Sequence, residues 1–159
     1  MARKPRKANI AAVKALIEHL ESDRSFRRLE PERAFIKWYA LARFGLGVEA
    51  EIVDGAKDGG VDAIVEVRDT ITVIQSKFSA SPKPGKVSRD EIAGFERAAD
   101  HLSGESEEDS FADWLQSVRG NLRRTFRRIR RKCGTGDATL KCVFATTKTL
   151  GLPSTELVE

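Results

Sequence analysis

Two apolar runs, at residues 61–67 and 71–78, flank a short polar break at Arg68-Asp69-Thr70. Runs this short, rich in β-branched residues and separated by so tight a break, read as the two antiparallel strands of a hairpin. Side chains alternate with period two along a strand, so Ile71, Val73, Gln75 and Lys77 share one face and Thr72, Ile74, Ser76 and Phe78 the other. On the first face, two apolar residues give way to an amide and then an ammonium. A strand that turns polar at one end of a buried face calls for an explanation, and the rest of the chain is read around it.

Upstream, apolar residues recur at helical spacing over 9–21 (Ile10, Val13, Leu16, Ile17, Leu20), behind a basic arm at 1–8 that is expected to be flexible. Pro31 suits the first turn of a second helix, which carries Phe35, Ile36, Trp38, Tyr39 and Leu41 and stops near Gly45 and Gly47. A strand is expected over 48–53, then a loop rich in Asp and Gly over 54–60. Downstream, Pro82, Pro84 and Gly85 make 79–86 a loop. Ser88 with Glu91 forms a capping box for a third helix that reaches Leu102. After an acidic linker, one long helix is expected over 110–132, with Leu115, Val118, Leu122, Phe126 and Ile129 on one side; a last strand follows over 140–146. Strands grouped before helices, then a further strand, predict an α/β fold with a mixed sheet and helices on both faces. Residues 9–159 form one domain in this reading, with the Gly-Leu-Pro turn after the last strand suggesting the N-terminal part of a longer protein.

The hairpin explains the polar end. A two-residue turn at Arg68–Asp69 sets Val67 opposite Thr70 and so Asp62 opposite Gln75; sliding the turn to Asp69–Thr70 sets Asp62 opposite Lys77 instead. Either register puts all three on one face, and a three-residue turn would not. A carboxylate, an amide and an ammonium together suit phosphodiester hydrolysis, in which a hard divalent cation on oxygen ligands neutralises phosphate charge and makes hydroxide near pH 7. Asp62 offers a carboxylate, Gln75 a side-chain carbonyl and Ser76 its backbone carbonyl, while Lys77 can hold the attacking water or stabilise the transition state. Magnesium is the natural ion because it keeps waters and shares phosphate oxygens, with manganese as a substitute. Glu32 heads the apolar stripe of the second helix and is the candidate second carboxylate, with Glu30 as alternate; an acid there is equally explained by the helix dipole. Asp58 and Asp54 read as turn and strand-end residues. From spacing alone, a salt-bridged strand pair capped by an amide accounts for Asp62, Gln75 and Lys77 as well.

Asp58-Gly59-Gly60-Val61-Asp62-Ala63, followed after the hairpin by Ile74-Gln75-Ser76-Lys77-Phe78, resembles the PD-(D/E)xK nuclease superfamily, and within it the Mrr-type branch, where Gln replaces the acid of the last motif. The helix containing Arg33-Ala34-Phe35-Ile36-Lys37-Trp38-Tyr39 and the helix from Ser88 look like the N-terminal region of abortive-infection phage-resistance (AIPR) proteins. The resemblance covers 29–102 well, the basic helix and last strand more loosely, and residues 1–28 not at all. It implies a three-layer α/β/α restriction-endonuclease-like fold around a mixed central sheet, magnesium-dependent DNA cleavage, and a role in restriction or anti-phage defence. It casts Asp62 as metal-binding Asp, Gln75 as the acidic-or-amide position, Lys77 as catalytic Lys and Glu32 as helical Glu. Gln75 is the departure, since a neutral amide binds magnesium more weakly than a carboxylate. A catalytically weak module that binds DNA inside a larger defence protein is the alternative.

Charge supports a nucleic-acid partner. The formal net charge is +4 with a pI near 9.2, and Arg119, Arg123, Arg124, Arg127, Arg128, Arg130, Arg131 and Lys132 crowd one helix with no acid among them. They are read as DNA-backbone contacts, against the plainer account of solvation and pairing with Glu105–Asp109. Cys133 and Cys142 form no CxxC pair, and His19 and His101 lie far from them, so neither zinc nor histidine chemistry is indicated. No apolar run is long enough to span a bilayer and no signal peptide is evident, which points to the cytoplasm without a membrane partner. Double-strand cutting usually needs two active sites, so a homodimer is anticipated.

Overall fold

In the computed structural model, which describes residues 7–150 except 46, 49, 54 and 80–84, the hairpin lies at the middle of a mixed α/β fold. Most of the basic arm, Asp54 and the two loop prolines, Pro82 and Pro84, lie outside the described residues. The elements in chain order are α1 (Lys7–Ser22), α2 (Pro31–Phe44), β1 (Ala50–Ile52), β2 (Ala63–Val67), β3 (Thr70–Lys77), β4 (Lys86–Val87), α3 (Arg89–Ser103), α4 (Glu108–Ser117), α5 (Gly120–Gly134), β5 (Thr139–Thr146) and β6 (Thr149–Leu150). The end of the expected arm therefore belongs to α1. Nothing in Lys7-Ala8-Asn9 breaks a helix, so α1 begins ahead of its first apolar residue, Ile10.

The four-stranded sheet runs β1-β2-β3-β5, antiparallel at its first two pairings and parallel at β3–β5. Val67 pairs with Thr70, so the hairpin turn is the two-residue Arg68–Asp69, with Arg68 at φ 55°. A positive φ at the first turn residue matches the right-handed twist of the flanking strands. Among the described residues β1 is shorter than the expected 48–53, its ladder running from Ala50↔Val65 to Ile52↔Ala63. A second, two-stranded sheet, β4 with β6, was not anticipated; two residues carry no periodicity to read.

Alternation along the strands divides the core. Ala63, Val65 and Ile74 pack with Leu20, Phe26, Ala34, Phe35 and Ile36 of the α1–α2 region. Ile64, Ile71 and Val73 pack with Phe95 and Leu102 of α3, Phe111 and Leu115 of α4, and Leu122, Phe126 and Ile129 of α5. Full burial of each of the larger side chains contributes roughly 1.5–3 kcal/mol. Helices therefore cover both faces of the mixed sheet. No helix among the described residues is long and apolar enough to cross a membrane.

The single helix expected over 110–132 is two. Val118 (φ −88°, ψ 139°) and Arg119 (φ −60°, ψ 145°) are extended and separate α4 from α5. The apolar stripe was read correctly, since Leu115, Val118, Leu122, Phe126 and Ile129 are all buried. The break lets two shorter helices turn that stripe inward around the sheet, with glycine at 120 and Val118 serving as a buried extended link.

His101 is structural. Its ring stacks on Trp114 at 5.0 Å, and Nδ1 lies 2.7 Å from Ser106 Oγ. Burial, and secondarily the Arg130 charge, hold its pKa below the ordinary value, favouring the neutral ring.

Candidate active site

The chain leaves the sheet abruptly before β2. Asp58 accepts the Gly60 N–H on Oδ1 (2.8 Å), closing a turn that takes Gly59 to φ 72° and Gly60 to φ 85°. A Cβ on Gly59 would fall 2.8 Å from Trp114 Cζ2, so this backbone lies flat against α4 and α5, where only glycine fits. Arg119 fastens the same loop. Its guanidinium donates to the carbonyls of Val53 and, at 3.3 Å, Ala56; its N–H donates to Lys57 O at 2.9 Å.

This anchored loop delivers Asp62 beside the end of β3. The hairpin register holds down to Ala63↔Ile74 and then departs from the expected Asp62–Gln75 pair. The Asp62 N–H donates to Ile74 O (2.8 Å), and its Oδ2 accepts the Ser76 N–H (2.6 Å). Asp62 thus straddles Gln75, held from the other side by the Val53 N–H on its carbonyl (2.8 Å). The N–H and C=O of one residue in an extended strand point the same way, so the Ser76 carbonyl also faces Asp62 rather than β5.

A cleft of about 230 Å³ opens here. Asp62, Gln75, Ser76 and Lys77 line it from the sheet, Asp58 from the loop, and Glu32 from the first turn of α2, with Ile36 and Phe78 as its apolar wall. All five residues expected to hold a metal or act on it, Glu32 included, border one cavity; Glu30 does not. Glu32 is exposed and approaches from the α2 side, whereas Gln75 and Lys77 share the face of Ile71 and Val73.

The most telling atom is Gln75 Oε1. Gln75 is 6% exposed, yet among the described residues this oxygen has no hydrogen-bond partner, nor does Ser76 Oγ. An unsatisfied buried acceptor costs roughly 1–3 kcal/mol, and strain, a catalytic role, a water or an ion can account for one. Among the described residues, no three His, Cys, Asp or Glu side chains gather closely enough to hold a metal ion. A cation here would depend on Asp62 together with the Gln75 amide oxygen, the Ser76 carbonyl and waters, with Glu32 at the rim. That all-oxygen set fits a hard, hydrated ion such as magnesium.

Lys77 ends the strand. Its carbonyl is held by Thr146 Oγ1 (2.7 Å) and the Thr147 N–H (3.3 Å), and its Nζ lies 3.5 Å from Glu91 Oε1. Glu91 forms the expected capping box with Ser88, and burial does not outweigh the Ser88 N–H bond and the Lys77 charge, which keep its carboxyl below the usual range. Two residues of the site were read from sequence in one role and have two. Asp58 is a turn former that also lines the cleft, and Glu91 is a cap that also meets Lys77.

The eight cations of the basic helix are not one surface. Arg119 is fastened to the 53–57 loop. Arg123 donates to the carbonyls of Val118 (2.8 Å) and Gln116 (3.1 Å), closing the α4–α5 corner. Arg130 donates to His101 O (2.7 Å) and Ser106 O (2.6 Å), pairs with Glu108 at 3.4 Å and lies 4.5 Å over the Phe111 ring. Arg128 and Lys132 share Glu66 of β2. Pairing with the 105–109 linker, the plainer account from sequence, holds for Arg130 with Glu108, whereas the carbonyl acceptors on neighbouring elements leave no trace in a helix's own sequence. Arg124, Arg127 and Arg131 remain exposed, at i, i+3 and i+7 along one stripe.

No family model matches the chain, and neither does any curated protein or solved structure.

Proposed function

We propose that this chain is a magnesium-dependent endonuclease that hydrolyses DNA phosphodiester bonds, built on a three-layer α/β/α fold of the PD-(D/E)xK, Mrr-like type. The observation that carries the reading is the buried, unpartnered Gln75 Oε1 in a cleft it shares with Asp62 and Lys77. Asp62, Gln75 Oε1, the Ser76 carbonyl and Glu32 would hold the ion. When bound, magnesium supplies Lewis acidity and lowers the pKa of a coordinated water. The chain's own residues do the rest. Asp62, with Oδ2 fixed by the Ser76 N–H, presents a carboxylate that needs no reorganisation. Lys77 brings a cation to the non-bridging oxygens of a phosphate at the cleft, or orients the attacking water. The apolar wall of Ile36 and Phe78 limits solvent on one side. The setting we assign is restriction or anti-phage defence in the cytoplasm, as a homodimer if both strands are cut, with target choice either low or supplied from outside these residues.

The test is nicking of supercoiled plasmid at low salt with magnesium or manganese, comparing the native chain with Lys77→Ala. Native activity that vanishes with chelator and in the variant is expected. Equal activity in both proteins would remove the cleft from the reaction.

A catalytically weak DNA-binding module is the second reading, favoured by the neutral amide at 75. Both readings place DNA phosphates on Arg124, Arg127 and Arg131. Duplex affinity should then fall by about 0.9 log unit per log unit of salt for each phosphate neutralised, so a slope near 3 is expected rather than one near 7 for the whole cluster. Replacing the three with Gln should flatten the slope without lowering the unfolding midpoint; an unchanged slope would clear α5 of DNA contact.

A further inference from the structure

We propose that Glu91 is the positioning residue for Lys77, holding its ammonium at the cleft wall and away from the carboxylates opposite. The proposal rests on the reading of Lys77 as the catalytic cation. Lys77 carries a four-carbon stem with many rotamers, and its side chain is 29% exposed. A lysine so placed in a cleft with Asp62, Asp58 and Glu32 would be drawn to them, where it would neutralise the oxygens a cation needs.

Glu91 offers a competing partner that cannot move far. Its Oε2 accepts the Ser88 N–H at 2.8 Å, its own N–H is held by Ser88 Oγ at 3.2 Å, and it occupies the first turn of α3, where the helix dipole favours negative charge. That leaves Oε1 pointing at Lys77 Nζ, 3.5 Å away. The lysine is fixed at its other end as well, since the Lys77 carbonyl is held by Thr146 and Thr147 of the neighbouring strand end. Anchored backbone and anchored counter-ion together restrict the ammonium to one side of the cleft, the preorganisation that charge stabilisation in a transition state requires. Half-exposed ion pairs add little to stability, so the contact acts on geometry and charge rather than on folding. Glu91 touches neither substrate nor metal in this scheme; it acts through Lys77.

Glu91→Gln isolates the effect, because the amide oxygen can still cap α3 while the charge opposite Lys77 is gone. The expected result is an unfolding midpoint close to native, plasmid KM unchanged, and kcat for nicking lowered about tenfold, in the range typical of residues that orient a reacting group. A readout without catalysis accompanies it: competitive acetylation of lysines followed by mass spectrometry. The Lys77 rate should shift several-fold in Glu91→Gln as the ammonium changes partners, while exposed Lys57 and Lys86 keep native rates. Native-rate nicking by Glu91→Gln, or unchanged Lys77 acetylation, would overturn the proposal. If Lys77→Ala still nicks like the native chain, the nuclease reading fails instead. If Lys77→Ala is dead and Glu91→Gln is fully active, only the positioning role falls.

Discussion

Asp62→Asn should lose on the order of 100-fold or more of magnesium-dependent nicking while remaining folded, and Asp62→Ala should lose both activity and stability. The difference follows from the two tasks of this side chain. Its Oδ2 accepts the Ser76 N–H at 2.6 Å in a position that is 7% exposed, so the carboxylate is part of the hairpin's hydrogen bonding. Asparagine keeps an acceptor for that N–H but brings no negative charge to a cation. Alanine leaves the Ser76 N–H without its acceptor, which costs about 1–3 kcal/mol. Urea unfolding of the three proteins, beside nicking rates at saturating magnesium, separates the two effects. Native-like nicking by Asp62→Asn would show that the Asp62 charge takes no part in the chemistry. Equal destabilisation by Asn and Ala would show that something other than the Ser76 bond governs the site.

That double role also marks how far the sequence could be read. Alternation identified β3 and its polar end, because period two is a property of any strand and Ile71, Val73, Gln75 and Lys77 express it without interruption. The two-residue turn fixed the register as far as Ala63. The final step, where Asp62 slips to meet Ile74 and Ser76, depends on the loop being fastened from outside by Arg119 and seated against Trp114 through Gly59. Those contacts join residues about sixty positions apart, and local pattern does not encode them. The same limit explains the basic helix. Eight cations looked like one patch because hydropathy counts charge and not partners, whereas the fold turns Arg119, Arg123 and Arg130 onto carbonyls and leaves Arg124, Arg127 and Arg131 outside. The break at Val118 was hidden for a related reason: an apolar residue at helical spacing looks the same whether it continues a helix or forms the buried corner between two. Glu91 was legible as a cap, since a capping box is local, but not as the partner of Lys77.

Gln75→Glu offers the strictest test of the metal site, because it should make stability depend on the ion. The native amide is 6% exposed with Oε1 unpartnered, and it sits beside the Asp62 carboxyl. A carboxylate placed there without a metal is buried and faces another acid. Leaving that charge uncompensated should cost about 3–5 kcal/mol or force it to take up a proton. With magnesium bound, the same carboxylate becomes a stronger ligand than the amide it replaces. Ligand binding stabilises the folded state by RT ln(1 + [L]/Kd), about 2.7 kcal/mol at a hundredfold excess over Kd. The metal-free variant should therefore unfold at lower temperature than the native chain, and added magnesium should raise its midpoint by more than it raises the native one. The magnesium concentration for half-maximal nicking should fall with it. Both proteins responding equally to magnesium would place the ion away from residue 75. The unpartnered oxygen would then be an ordinary cost of the fold, and the nuclease reading would lose the observation on which it depends most.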